Sequence, residues 1–234
     1  MKNLFITGSG GQDGNILTKL LKKKSNINIY LLAEKKKVNR SLKYKKTCVY
    51  IGSFFEGKGV EQIFRLAKIN KSITFHVYGE KKFLSEKIKI NNVKVFDYIS
   101  YNKVPKILSK YEIALMPYQS KVKGRSSINL ERYMSPLKMF DYLAARMIIV
   151  ASNLKVYQHI LKDNFNCKLI KINEDKIWSD TIIKIIKNKI NKLKLKKNAY
   201  KTAVNNTWEK RCVKIVNYFY KEKKFNYNNN IYER

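Results

Sequence analysis

The sequence predicts an α/β fold built on a mostly parallel sheet with helices on both faces. Short apolar runs alternate with amphipathic runs of helical period, in the order βαβα. The 234 residues, 44% of them hydrophobic, are enough for one large domain, or for one domain and a fragment. Glycine-rich turns follow two of the apolar runs and lead into helical patterns.

Each element follows from the period of its apolar residues. The predicted strands are 4–7, 27–32, 48–52, 74–78, 93–97, 113–117, 148–151 and 168–172. The predicted helices are 15–24, 60–69, 104–110, 137–145, 156–161, 177–187 and a final stretch over 193–220. Six strands therefore fall between residues 48 and 172, which predicts a sheet of about six strands, the mean size.

The organisation along the chain predicts three parts. Residues 35–46 read KKKVNRSLKYKK, a polar run without apolar period, and they are the best linker candidate. We expect a βαβ fragment with a glycine-rich loop and this basic linker over 1–46, one α/β domain over 47–220, and a polar tail over 221–234.

Lys and Arg number 50 against 17 Asp and Glu, a formal net charge of +33. Such a charge is typical of proteins that bind nucleic acid or anionic membranes. The Lys residues are spread along a chain that is also rich in Asn and Ile, however, which favours a compositional bias over a specific nucleic-acid role. A basic surface of either origin still favours peripheral contact with an anionic membrane.

The cysteines and the apolar runs indicate a reducing, cytoplasmic setting. Cys48, Cys167 and Cys212 are widely spaced and form no CxxC pair, so neither a disulfide framework nor a zinc site is expected. The N-terminal apolar stretch is too short for a signal peptide, and no run approaches the roughly 18–20 apolar residues of a membrane span.

The first glycine loop lies in LFITGSGGQDGNIL. Gly8, Gly11 and Gly14 allow a tight turn in which the backbone approaches a pyrophosphate, and Glu34 stands where an acidic residue would hold a ribose. This stretch resembles the start of the extended short-chain dehydrogenases, and GQDG is similar to their nucleotide-sugar dehydratases. The resemblance covers only residues 1–34, so an NAD(P)-binding dehydratase or epimerase fragment is the alternative hypothesis.

The second glycine loop lies in YIGSFFEGKGVEQIFRLAK. A strand ends at Gly52, and Gly57, Lys58 and Gly59 open a helix. The free N–H groups of a helix start can hold phosphate, and Lys58 adds a positive charge.

The third motif is RYMSPLKMFDYLAARMIIVAS, residues 132–152. We expect Ser135 as N-cap and Pro136 at the first helical position, so that Leu137 and Lys138 begin the helix. A cation opposes the helix dipole there, which makes sense if an anion binds at the same end. Asp141 lies one turn further on and can face the same ligand. Core spacing predicts purely structural roles for Leu137, Phe140 and Ala144.

These motifs together resemble family 4 of the GT-B glycosyltransferases. The resemblance runs through YIGSFFEGKGV, FHVYGE, ALMPY, YMSPLKMFDYLAARMIIVAS and NAYKTAVNNTWEKR, in the right order over about 170 residues. It implies the C-terminal, Rossmann-like donor domain of a retaining enzyme. It also implies that Lys58 binds the donor diphosphate, that residues 135–138 cradle the phosphates and that Asp141 holds the ribose. Trp208 and Arg211 match the closing helix.

Three positions depart from the family pattern: Tyr133 replaces a common Glu, Ser53 a common Arg, and Arg146 a common Gly. The 46 residues before the predicted domain cannot supply the acceptor domain that the resemblance implies, and the catalytic residues are unknown. No Asp-x-Asp pair is present, which argues against the other large glycosyltransferase fold, where such a pair holds a divalent metal on the donor phosphates. We expect no metal and no other cofactor. His76 and His159 are expected to be packing or surface residues.

The leading hypothesis is therefore a domain that binds a UDP- or GDP-sugar for transfer to a glycan or lipid acceptor. Its rivals are the NAD(P)-binding fragment and a non-catalytic basic protein that binds polyanions.

Overall fold

A six-stranded sheet, parallel throughout, forms the centre of the computed structural model, which describes residues 42–84, 90–122 and 136–208, together with 210, 211, 213, 214 and 218. The strands have the spatial order β3-β2-β1-β4-β5-β6. Their bounds are Tyr44–Ile51 (β1), Thr74–Tyr78 (β2), Val93–Phe96 (β3), Tyr111–Met116 (β4), Ile148–Ser152 (β5) and Lys168–Ile170 (β6). The α/β class is confirmed, whereas the elements expected within residues 1–41 lie outside the described residues.

Five α-helices connect or cover these strands in the described residues. They are Val60–Ile69 (α1), Val104–Leu108 (α2), Leu137–Ala144 (α3), Asp175–Ile186 (α4) and Lys192–Asn205 (α5). Short 3-10 turns cover Lys81–Phe83, Tyr101–Lys103 and Lys155–Tyr157.

The helix expected over 156–161 is wrong. Only the 3-10 turn forms there, because side chains bind the backbone groups that a helix would use. Tyr157 donates its hydroxyl back to the Ser152 carbonyl (2.5 Å), and the Asn166 amide oxygen accepts from Lys162 N–H (2.9 Å).

The helices cover two apolar cores, one on each face of the sheet. On one face α1 and α4 pack over the sheet, with Ile63, Leu66 and Trp178 fully buried. On the other face α3 packs through Met139 and Leu143, and α5 packs through the small residues Ala199 and Ala203. Burial of both faces explains why the interior strands β4 and β5 are buried along their whole length and mostly apolar.

The side of α3 that packs against the sheet differs from the predicted one. The buried residues are Met139, Tyr142 and Leu143, whereas Leu137 is 42% exposed and Phe140 and Ala144 are only partly buried. The i, i+3, i+4 spacing of the three buried residues decides which stripe faces the sheet. Leu137 is therefore not a core residue.

α3 ends at a residue whose backbone adopts the left-handed conformation. Arg146 has φ 53, and the N–H groups of Arg146 and Met147 bind the carbonyls of Leu143 (3.0 Å) and Tyr142 (3.0 Å). This is the Schellman arrangement, which normally has glycine at the position of Arg146. The Arg146 guanidinium lies 4.0 Å from the ring centroid of Tyr200, a contact that helps to offset the backbone strain.

β1 begins at Tyr44, so the last three residues of the predicted linker belong to this strand. Tyr44 extends the strand because its ring stacks on Tyr111 (4.8 Å between centroids) and meets His76 edge-on (5.0 Å). His76 is buried, its Nδ1 lies 2.7 Å from the Tyr111 hydroxyl, and burial lowers its pKa to about 4. His76 is therefore a neutral packing residue, and His159 is exposed.

The chain divides into two units, Lys36–Ala203 and a second made of Met1–Lys35 with Val204–Arg234. In the second unit, Arg211 N–H binds the Thr207 carbonyl (3.0 Å) and the Arg211 guanidinium lies 5.7 Å from the Trp208 ring. No helix in the described residues combines the length and the apolarity that crossing a bilayer requires.

Candidate functional site at the carboxyl edge of the sheet

The carboxyl end of β1 and the turn after β2 meet through two glycines. Gly52 N–H donates to the Tyr78 carbonyl (3.0 Å). A Cβ on Gly79 would lie 2.3 Å from the Gly52 carbonyl oxygen and 2.5 Å from a ring carbon of Phe54. Only glycine allows the two strand ends to come this close, and a small cleft opens beside them towards Ser53, Tyr98 and Ile99.

The loop from Gly52 to α1 uses two more glycines in left-handed conformation. Gly57 has φ 81 and Gly59 has φ 85. A Cβ on Gly59 would lie 1.8 Å from the Pro117 carbonyl oxygen, so the loop is packed against the end of β4. Gly59 is the N-cap of α1 and offers no side-chain cap, which leaves the first N–H groups of the helix for another acceptor.

A second helix starts at the same edge. α3 begins at Leu137, as expected, but Pro136 is the N-cap with extended backbone (ψ 112) and does not occupy the first helical position. That prediction is wrong by one residue, because Met139 N–H closes the first turn on the Pro136 carbonyl (3.0 Å). Pro136 offers no side-chain cap either, so the start of α3 also carries the positive end of a helix dipole. Ser135 lies outside the described residues.

Lys138 extends from this helix start towards Gly52. A Cβ on Gly52 would lie 2.4 Å from Lys138 Nζ, so glycine is what leaves room for the ammonium. The side-chain stem is partly exposed, but Nζ is buried and has no hydrogen-bond partner among the described residues. Nζ lies 3.7 Å from the centroid of the Tyr50 ring. Burial, and then the neighbouring Lys58, lower the pKa of Lys138 well below its ordinary value.

Lys58 converges on the same place from the other loop. Its Nζ lies 5.1 Å from the centroid of Tyr118, and Lys138 Nζ lies 5.2 Å from the same centroid. Burial lowers the pKa of Lys58 as well. Two lysine side chains that share one aromatic ring, beside two uncapped helix starts, form a site suited to an anion with several charges.

Asp141 stands one turn beyond Lys138 on α3 and binds a different partner. The Tyr101 hydroxyl donates to its carboxylate (3.0 Å). Burial raises the pKa of Asp141 to about 6, and the Tyr101 hydrogen bond opposes this shift. The carboxylate therefore lies at the edge of the cationic site without forming an ion pair with Lys138.

Tyr142 fixes α3 to the end of β1. Its buried hydroxyl accepts a hydrogen bond from Ile51 N–H (2.9 Å), one residue before Gly52. The Tyr50 hydroxyl in turn donates to the Ser53 carbonyl (2.8 Å) and holds the start of the loop. These bonds set the position of Lys138 relative to Gly52.

The structure thus brings together most residues that the second and third motifs predict: Gly52, Lys58, Gly59, Pro136, Leu137, Lys138 and Asp141. Gly8, Gly11, Gly14, Glu34 and Tyr133 lie outside the described residues. Sequence reasoning missed the aromatic residues Tyr50, Tyr101, Tyr118 and Tyr142. The signal available for Tyr50 and Tyr118 was their place beside Gly52 and Pro117, at the ends of two neighbouring strands.

A parallel α/β sheet with an anion site at its carboxyl edge defines a broad class of nucleotide-binding proteins. The model of the glycosyl transferases group 1 family matches residues 33–202, more than half of the chain. The chain therefore belongs to this glycosyltransferase family. A comparison with curated proteins gave no match.

Solved structures agree on the fold. TarM of S. aureus superposes with a TM-score of 0.59 at 19% identity, over 75% of this chain and 35% of TarM. The C-terminal domain of a glycosyl transferase group 1 family protein (LpcC) from Francisella tularensis gives 0.56 at 17%, over 72% of this chain and 92% of that domain. Anabaena HepE in complex with UDP-glucose superposes with a TM-score of 0.59 at 11% identity, over 74% of this chain and 48% of HepE.

The chain spans about a third of the length of TarM but nearly all of the isolated LpcC domain. At these identities the likeness shows the fold, which is that of GT-B glycosyltransferases.

Proposed function

We propose that this chain binds the diphosphate of a UDP- or GDP-sugar between Lys58 and the start of α3. The observation that carries the proposal is the convergence of two lysines on one ring: Lys58 Nζ and Lys138 Nζ lie 5.1 and 5.2 Å from the centroid of Tyr118. Lys138 Nζ is buried and has no acceptor among the described residues, and a phosphate oxygen can supply one.

The remaining parts of a nucleotide have places around this centre. Asp141 and its partner Tyr101 can hold ribose hydroxyls, and the cleft beside Gly52, Gly79 and Ile99 can hold a base. Two proteins of the same fold, Anabaena HepE and the pneumococcal O-GlcNAc transferase GtfA, were solved in complex with UDP, which supports a uridine nucleotide as the ligand. In such a complex Lys58, Lys138 and the helix starts would stabilise the charge that develops on a departing nucleoside diphosphate.

Calorimetric titration tests the proposal directly. UDP, GDP and NAD are each titrated into the purified chain, with and without EDTA. We expect UDP or GDP to bind equally well in EDTA, because lysines and helix dipoles supply the positive charge. Binding of NAD alone, abolished by substitutions at Gly8–Gly14 and not at Lys58, would favour the dehydratase alternative.

We further propose that the acceptor is a glycan or a lipid and that the protein meets anionic membranes peripherally from the cytoplasm. The net charge of +33 supports this, and so does the run of lysines along α5. Co-sedimentation with vesicles containing an anionic lipid should fall steeply as salt is raised, whereas neutral vesicles should not bind.

The polyanion rival makes a different prediction in the same assays. A non-catalytic basic protein would bind nucleic acid of any sequence with strong salt dependence. UDP would then fail to compete, because its diphosphate would have no dedicated site.

A further inference from the structure

The buried amino group of Lys138 poses a question that diphosphate binding alone does not answer, namely its charge state in the free protein. Nζ is buried, lies on the face of Tyr50 and has no acceptor in the part of the chain that the structure describes. A ring face partly compensates a cation, but it replaces neither the lost hydration nor the missing hydrogen bonds.

No described acidic group balances this charge. The titratable groups that face or flank Nζ come from four elements, namely Tyr50 on β1, Lys58 and Glu61 at the start of α1, Tyr118 after β4, and Asp141 and Tyr142 on α3. The positive charge of Lys58 makes protonation of Lys138 harder. Glu61 is exposed, and Asp141 is hydrogen-bonded to Tyr101.

We propose that Lys138 is uncharged in the free protein and takes up one proton from solvent when a diphosphate binds. The inference rests on the proposed function, because it assigns the anion to the same site. The bound phosphate oxygens accept N–H bonds from Nζ, and their negative charge outweighs the repulsion from Lys58. The direction of the pKa shift at Lys138 agrees with this geometry.

Proton uptake links affinity to pH with a definite sign. Below the pKa of Lys138 in the free protein, the amine is charged in both states and pH has no effect through it. Between the pKa values of Lys138 in the free and the bound protein, each rise of one pH unit lowers the affinity about tenfold, because binding takes up a proton whose concentration has fallen tenfold. Burial lowers the pKa of Lys58 less than that of Lys138, so we expect Lys58 to stay charged in both states.

Calorimetry in two buffers with different enthalpies of ionisation measures the proton directly. UDP and GDP are titrated at pH 8, where their terminal phosphate (pKa about 6) is already ionised. The wild-type chain should take up one proton per nucleotide, and its dissociation constant should rise about tenfold from pH 8 to pH 9. This pH slope needs no variant.

Two variants locate the proton. Lys138→Arg should bind without proton uptake, because arginine is charged in both states, and Lys58→Arg should keep the uptake. If the wild-type chain binds UDP or GDP with no uptake, or if Lys138→Arg takes up as many protons as the wild type, the inference is wrong while the proposed function stands. If neither nucleotide binds, both are wrong.

Discussion

Replacing Lys138 by Met should change how stability depends on pH, even without a ligand. The unfolded chain protonates Lys138 up to its ordinary pKa of about 10.4, whereas burial and Lys58 hold the folded pKa well below that value. Folding therefore releases a proton in this window, and wild-type stability rises with pH. For one proton the rise is about 1.4 kcal/mol for each pH unit over which the folded amine is neutral and the unfolded amine is charged.

Met has similar volume and cannot titrate, so it removes this one contribution. Urea unfolding of both proteins at pH 7, 8 and 9 gives the difference in free energy at each pH, which cancels the other titrating groups. We expect the free energy of unfolding of Lys138→Met, relative to that of the wild-type chain, to fall steadily over this range, by at most roughly 3 kcal/mol. Lys106→Met, an exposed residue of α2, is the matched control and should show no trend. A constant difference for Lys138→Met, or one that grows with pH, would refute the reasoning.

Three further predictions concern the same edge of the sheet. Tyr142→Phe should destabilise the fold by about 1–3 kcal/mol in urea unfolding, because it leaves the Ile51 N–H without its acceptor; an unchanged midpoint would contradict this. The protonated Asp141 carboxyl contributes to stability below about pH 4, and this contribution fades as pH rises through about 6, because the folded pKa of about 6 exceeds the unfolded value. Asp141→Asn should remove this pH dependence. If the free energy of unfolding of both proteins varied with pH in the same way, the prediction would be contradicted. The chain alone should bind nucleotide yet transfer no labelled sugar to membranes, since positioning an acceptor can be worth about 7–11 kcal/mol; donor-dependent labelling lost in Lys58→Ala would overturn this.

The regular elements could be predicted closely because local signals agree with tertiary packing. The bounds of α1 and β2 follow from the sequence to the residue, since Gly59 and Asn70 flank the helix and residues 74–78 form one short apolar run. The convergence of Lys58 with Lys138 could also be predicted, because both precede or begin helices at the carboxyl edge of one parallel sheet.

What escaped prediction depends on contacts between distant parts of the chain. Tyr101 meets Asp141 across 40 positions, and Tyr142 meets Ile51 across 91. Nothing local marks either pair. The expected helix over 156–161 failed for a related reason, because Asn166 and Ser152 take part in bonds that helical periodicity does not reveal.

The phase of α3 shows a further limit of sequence reasoning. Two apolar stripes compete on this short helix, and only the sheet beneath it decides that Tyr142 faces inward and Leu137 outward. With Tyr142 facing the sheet, Lys138 is directed at Gly52. The only sign of this contact in the sequence is that Lys138 lies in the first turn of the helix.

The central claim is that Lys58 and Lys138 together hold a nucleotide diphosphate, and affinity for UDP and GDP tests it most directly. Lys58→Ala and Lys138→Ala should each weaken binding by about 1.5–3 kcal/mol, the worth of a charge-assisted hydrogen bond, and the double variant should weaken it more than either. Lys184→Ala, at an exposed lysine in the last turn of α4, which runs back from the carboxyl edge of the sheet, should bind like the wild-type chain. A double variant that binds UDP and GDP as tightly as the wild-type chain would place the site elsewhere.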